Sequence, residues 1–214
     1  MTIPDTSLAT PARAICGRCR RPQAACICGC IRAVPTAVEV LILQHPLEVS
    51  NAKGSARLLH LCLPNSRIEI GETFAPDDLQ AMLSGPHRSV LLYPDTVEGE
   101  SLGIAPPPSF DAAWAAVPQQ LRLVVLDGTW RKSRKMLYLN PLLQTLPRLP
   151  LRDMPPSHYS IRKAHLPDQL STLEATSHAL AQLENDAQKF SPLMTAFDSF
   201  VAQQRACVPS GTRR

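Results

Sequence analysis

Four cysteines fall within thirteen residues, as Cys16-x-x-Cys19 followed by Cys26-x-Cys28. Soft thiolates at this spacing suit one tetrahedral zinc, which is usually structural when all four donors are sulfur. An iron–sulfur cluster is the rarer use of such a set, and four unligated thiols would be a reactive liability. Cys30 is a fifth sulfur and leaves the fourth ligand open by one residue. The second chemically telling group is an acid. Asp127 ends the apolar run Leu121–Leu126 and is followed by Gly128-Thr129-Trp130 and a basic stretch carrying Arg131, Lys132, Arg134 and Lys135. An acid at the carboxyl end of a buried strand stands where open α/β sheets place ligands and catalysts. There it could serve as a general base or merely cap the next helix. Gly128 lets the backbone pass close to a ligand. Trp130 is either core or part of the site.

The elements needed to position these groups are readable from periodicity. Val38–Leu43, Ser89–Tyr93 and Leu121–Leu126 are short, mainly apolar runs, as strands buried on both faces show. Gln44-His45-Pro46 ends the first and Pro94 the second, since proline cannot continue a central strand. Ser66–Ile70 alternates like a short strand, and Arg148–Leu151 and Tyr159–Arg162 are weaker candidates. Helices are expected over Ala52–Leu61, Asp77–Leu83, the basic run after Trp130, Thr172–Asn185 and Pro192–Gln204. Ser171-x-x-Glu174 is a capping box for the fourth of these. Strands alternating with helices imply an α/β fold with a mostly parallel sheet covered on both faces. Residues 1–13 read as a disordered leader, 14–35 as a four-cysteine zinc-binding module, 36–204 as the main domain and 205–214 as a flexible tail. The stretch 94–118, with its triple proline, reads as a long loop.

At 214 residues the chain can form one sizeable domain with a small appendage. Its formal net charge is only +4, but the charge is clustered. No acid lies between Asp5 and Glu39, a stretch that holds Arg13, Arg18, Arg20, Arg21 and Arg32. Two basic clusters on a mildly basic chain suggest a polyanion partner, although each could be a solvated face. No run is long enough to span a membrane, and no secretory signal pattern opens the sequence. Seven cysteines, mostly in one cluster, fit a cytoplasmic metal site better than a disulfide framework. No G-x-G-x-x-G, Walker A or G-x-S-x-G element is present, which excludes the common nucleotide-binding loop and hydrolase classes. The histidines, among them His45, His158 and His165, are scattered.

Taken together in this order, the motifs resemble the DTW-domain family, the tRNA-uridine aminocarboxypropyltransferases. The resemblance rests on the two cysteine pairs with Arg21-Pro22, and on Gln44-His45-Pro46-x-Glu48. It also rests on Ser55-Ala56-Arg57-Leu58-Leu59, Leu91-Leu92-Tyr93-Pro94 and Asp127-x-Thr129-Trp130. Tyr159-Ser160-Ile161-Arg162 and Ser171-Thr172-Leu173-Glu174-Ala175 complete it, so that it spans Cys16 to about Phe200. It implies a SPOUT-like domain with a knotted S-adenosylmethionine pocket, one structural zinc and a tRNA partner. Asp127 would be the catalytic base. The cofactor would lie near Leu43, Gln44, Leu92, Tyr93, Pro94, Leu126, Gly128, Thr129, Trp130, Ile161, Ser171, Thr172 and Glu174. Arg18, Arg20, Arg21, Arg57 and the four basic residues after Trp130 would meet tRNA phosphates. The implied reaction transfers the 3-amino-3-carboxypropyl group to N3 of a uridine. A SPOUT-like RNA methyltransferase and a non-catalytic zinc-containing RNA-binding module are the alternatives.

Overall fold

The computed structural model describes residues 14–95, 106–151, 154, 157 and 170–206. The expected leader, the centre of the 94–118 loop, the Tyr159–Arg162 segment and most of the expected tail lie outside them. Five strands form one sheet: β1 (Glu39–Gln44), β2 (Ser66–Ile70), β3 (Arg88–Leu92), β4 (Leu121–Asp127) and β5 (Arg148–Leu149). Their order is β2-β1-β4-β3-β5, and every pairing is parallel. The α/β reading therefore holds.

Helices cover both faces. Val40, Ile42, Leu123 and Val125 share one core with α1 (Ala56–Cys62), α5 (Thr172–Leu183) and α6 (Ala187–Ala206). Leu41, Leu43 and Val124 share the other with α2 (Pro76–Leu83), α3 (Trp130–Leu139) and α4 (Pro141–Gln144). Side chains alternate between these two apolar layers, which is why residues 40–43 of β1 and 123–126 of β4 are apolar at every position. The cysteine segment packs into the first core through Cys19, Ile27, Cys30 and Val34. No helix of the described residues is long and apolar enough to cross a membrane.

Several boundaries differ from the sequence reading. The first helix starts at Ala56, not Ala52. Asn51 turns the chain beforehand: its carbonyl accepts the Gly54 amide at 2.9 Å and its side chain the Lys53 amide at 3.0 Å. The last helix starts at Ala187 and contains Pro192 instead of beginning there. A proline leaves the carbonyl four residues back without its amide donor. The Ser191 hydroxyl donates to that carbonyl, Gln188 O, at 2.8 Å. α4 was not anticipated, and β5 is two residues long rather than four.

Candidate active site at the carboxyl edge of the sheet

β4 follows β3 in the chain but lies between β1 and β3. Parallel register sets Gln44, the last residue of β1, beside Asp127, the last of β4. The Gln44 side-chain amide donates to Asp127 Oδ2 at 2.8 Å. From the other side the Thr172 hydroxyl donates to Oδ1 at 2.7 Å. The carboxylate is 5% exposed and is thus held in one orientation by two elements. It does not cap α3. That role belongs to Thr129, whose hydroxyl accepts the Lys132 amide at 3.4 Å. Gly128 fits because a Cβ there would stand 3.0 Å from Lys132 Cβ and 3.7 Å from His45 Cβ.

Thr172 reaches Asp127 because α5 starts at this edge. Ser171 and Glu174 form the full capping box: the Ser171 hydroxyl accepts the Glu174 amide, and Glu174 Oε2 accepts the Ser171 amide at 2.7 Å. Glu174 also accepts the Ser157 hydroxyl at 2.9 Å, and it is 1% exposed. The Leu173 amide donates to the Ser55 hydroxyl at 3.2 Å. The amides of Leu173 and Glu174 are thus taken by the protein.

Tyr93, just past β3, is buried, and burial pushes its hydroxyl up to about 12. Trp130 stacks on it with centroids 5.2 Å apart and planes at 17°, yet remains 44% exposed. Arg148 places its guanidinium 5.2 Å from the Tyr93 centroid. Leu43 is fully buried, inside β1 between β2 and β4, so the structure does not expose it to a ligand; Leu92 and Leu126 are partly buried and Pro94 is exposed. Ile161 lies outside the described residues. In the basic run, Lys132 pairs with buried Glu48 at 2.7 Å and Lys135 with Glu72 at 2.8 Å. His45 Nε2 donates to the same Glu72 at 2.8 Å, its Nδ1 being the acceptor of the Leu47 amide. Arg131 is exposed and Arg134 half-buried.

The four cysteines converge. Their sulfurs lie within 4.8 Å of one another, and the Cys16–Cys28 and Cys19–Cys26 pairs are both 3.7 Å apart. Zinc–sulfur bonds of about 2.3 Å set tetrahedral sulfur–sulfur edges at about 3.8 Å, so the set fits the ion. The Cys19 and Arg18 amides pull the Cys16 thiol down to about 6, while burial pushes Cys28 up to about 12. Cys30 is directed elsewhere: its thiol donates to Gln203 Oε1 at 3.4 Å, and Gln203 Nε2 donates to Cys26 O at 2.8 Å. Arg21 donates to Ala52 O and Gly54 O and stands over the Phe200 ring. Arg57 donates to Arg18 O. These two arginines tie the cysteine segment to the main body, whereas Arg18 and Arg20 are exposed.

A family profile, the DTW domain, matches residues 13–205. The chain belongs to the DTW-domain family. Among its relatives is the Mus musculus protein named tRNA-uridine aminocarboxypropyltransferase 2. It is 31% identical over 179 residues, 80% of this chain and 57% of that protein. The Drosophila melanogaster protein of the same name is 32% identical over 180 residues, 79% of this chain and 66% of its own length. The Arabidopsis thaliana tRNA-uridine aminocarboxypropyltransferase A is 28% identical over 147 residues, 64% and 55% respectively. This chain thus spans little more than half of the mouse protein. No solved structure matches it.

This DTW domain brings together Gln44, Asp127 and Thr172 in one cluster and Tyr93 with Trp130 in another. The cysteines form a third group, against α6. Sequence reasoning assigned no site role to Arg148, Ser55 or Ser157. Ser55 stood inside the Ser55-Ala56-Arg57-Leu58-Leu59 motif, and Arg148 carried a signal of its own, since an arginine in a candidate strand is out of place in an apolar layer.

Proposed function

We propose that this chain is a tRNA-uridine aminocarboxypropyltransferase. The reading is carried by the fixed Asp127 carboxylate at the centre of the sheet's carboxyl edge, in a family whose named relatives modify tRNA uridine. Bound S-adenosylmethionine would supply the 3-amino-3-carboxypropyl group from its sulfonium and leave as methylthioadenosine. The residues at the strand exits suit such a donor. Trp130 offers an exposed planar face for a base, and Tyr93 behind it keeps that face in place. The SPOUT-like knotted path implied by the sequence resemblance belongs to this proposal, as does action on tRNA in the cytoplasm.

The nucleophile is N3 of the target uridine, which carries a proton and reacts poorly until it leaves. Asp127 accepts that proton as N3 attacks. Gln44 and Thr172 fix the direction of the two carboxylate oxygens beforehand, so orientation is set before the reaction. The cysteine cluster holds one zinc through Cys16, Cys19, Cys26 and Cys28, with a structural role. Arg18, Arg20, Arg131 and Arg134 contact phosphates. The test is mass spectrometry of tRNA nucleosides after incubation with the protein and S-adenosylmethionine. A uridine heavier by the aminocarboxypropyl group is expected; a methylated uridine, or no product from metal-replete protein, overturns the reading.

A further inference from the structure

Arg148 begins the edge strand β5, yet it is only 6% exposed. A guanidinium removed from water is normally neutralised by a carboxylate or phosphate. The partners of Arg148 inside the protein are of another kind. Nη1 donates to the main-chain carbonyls of Pro94 at 3.1 Å and Asp95 at 3.4 Å. The guanidinium carbon faces the Tyr93 ring at 5.2 Å. Nε is buried without a hydrogen-bond partner, and among the described residues no carboxylate forms an ion pair with the side chain. Burial pulls its pKa below the ordinary guanidinium value, with Tyr93 and Asp95 opposing the shift. A buried guanidinium whose Nε makes no hydrogen bond has donor capacity suited to an anion.

The location says which anion. Pro94 and Asp95 are the first residues beyond Tyr93, which follows β3 directly and stacks on Trp130. The cation and the exposed aromatic face are therefore linked through one residue. A ligand with a flat base and a carboxylate on a flexible arm matches both. The Nε–Nη2 edge of a guanidinium grips a carboxylate through two parallel bonds; it is Nε that lacks a partner here, while Nη1 is held by the carbonyls.

We propose that Arg148 binds the α-carboxylate of the donor's aminocarboxypropyl group. The inference rests on the function proposed above and adds a specificity residue to it. The carboxylate belongs to the carbon chain that is transferred, and the donor's methyl group carries none. Anchoring that end fixes which carbon is presented to N3.

The experiment is calorimetric titration of the zinc-loaded wild type, Arg148→Gln and Arg148→Lys. The probes are S-adenosylmethionine and decarboxylated S-adenosylmethionine, which keeps the adenosine, sulfonium and amine. The wild type should favour the carboxylated ligand by about tenfold to a hundredfold, the scale of a hydrogen-bonded charge pair. Arg148→Gln should abolish the preference while leaving the decarboxylated ligand's affinity unchanged, and Arg148→Lys should restore part of it. Equal wild-type affinities, or a preference that survives in Arg148→Gln, overturn the inference and leave the proposed function standing. Parallel loss of both ligands in Arg148→Gln overturns it too, making Arg148 a prop for Tyr93. An intact preference with a flattened salt dependence of tRNA binding would reassign Arg148 to a phosphate. A wild type that binds neither ligand overturns the proposed function and this inference together.

Discussion

Replacing Asp127 with asparagine separates chemistry from architecture, because the site can absorb the change. The carboxylate accepts from Gln44 at 2.8 Å and Thr172 at 2.7 Å. In the asparagine variant one of these donors faces an NH₂ group instead of an oxygen. Either can adapt, since the Thr172 hydroxyl can rotate and the Gln44 amide can turn over. What is lost is the charge assistance. A hydrogen bond to a charged group contributes about 1.5–3 kcal/mol and an ordinary one about 1 kcal/mol, so two bonds forfeit about 1–4 kcal/mol. That lies below the usual ~5–15 kcal/mol of a domain, and the variant should fold with a lowered melting temperature. The α3 cap is untouched, because Thr129 supplies it. The rate should behave differently. A general base contributes at least about a hundredfold, which is about 2.7 kcal/mol of barrier. The assay is the initial rate of modified-nucleoside formation by mass spectrometry, with melting and donor binding measured on the same preparation. A folded, donor-binding Asp127→Asn protein with near-normal turnover would refute the base assignment. Thr172→Val, which leaves Gln44 in place, should cost less in rate than Asp127→Asn.

The protein should purify with about one zinc per chain; elemental analysis should show it lost in Cys26→Ser and kept in Cys30→Ser, whose sulfur is turned toward Gln203. Gly128→Ala would force a Cβ to 3.0 Å from Lys132 and should destabilise the fold by about 1–3 kcal/mol, read by denaturant unfolding. Saturating S-adenosylmethionine should raise the melting temperature by mass action, and no shift at millimolar ligand would contradict donor binding. Neutralising Arg131, which is exposed, should flatten the salt dependence of tRNA binding. Neutralising Lys132 and Lys135, which are paired with Glu48 and Glu72, should change the slope less.

The central strands were legible because burial on both faces writes them as largely apolar runs, broken only near their starts by Glu39 and Arg122. The Ser171–Glu174 cap was legible because both partners lie within one turn. Other features depend on which strands become neighbours. Asp127 meets Gln44 across 83 positions and Thr172 across 45, and no local pattern announces such contacts. The order that inserts β4 between β1 and β3 is equally silent in the sequence. Pro192 misled the helix reading for a simple reason: a proline marks a helix start unless something else satisfies the orphaned carbonyl. Ser191 does so, one residue away. The choice between Cys28 and Cys30 turned on Gln203, 173 positions beyond Cys30.

The same Gln203 contact bears on how the protein is made. The segment with the four clustered sulfurs leaves the ribosome long before α6, yet α6 supplies Gln203 to Cys26 and Cys30 and the Phe200 face to Arg21. During synthesis the nascent segment lacks these contacts until nearly all of the described chain has emerged. Metal captured early would order the sulfurs without their docking surface, so the last helix completes what the first cysteines begin. Pulse-labelled nascent chains stalled before and after residue 206 should differ in how readily an alkylating reagent reaches Cys30.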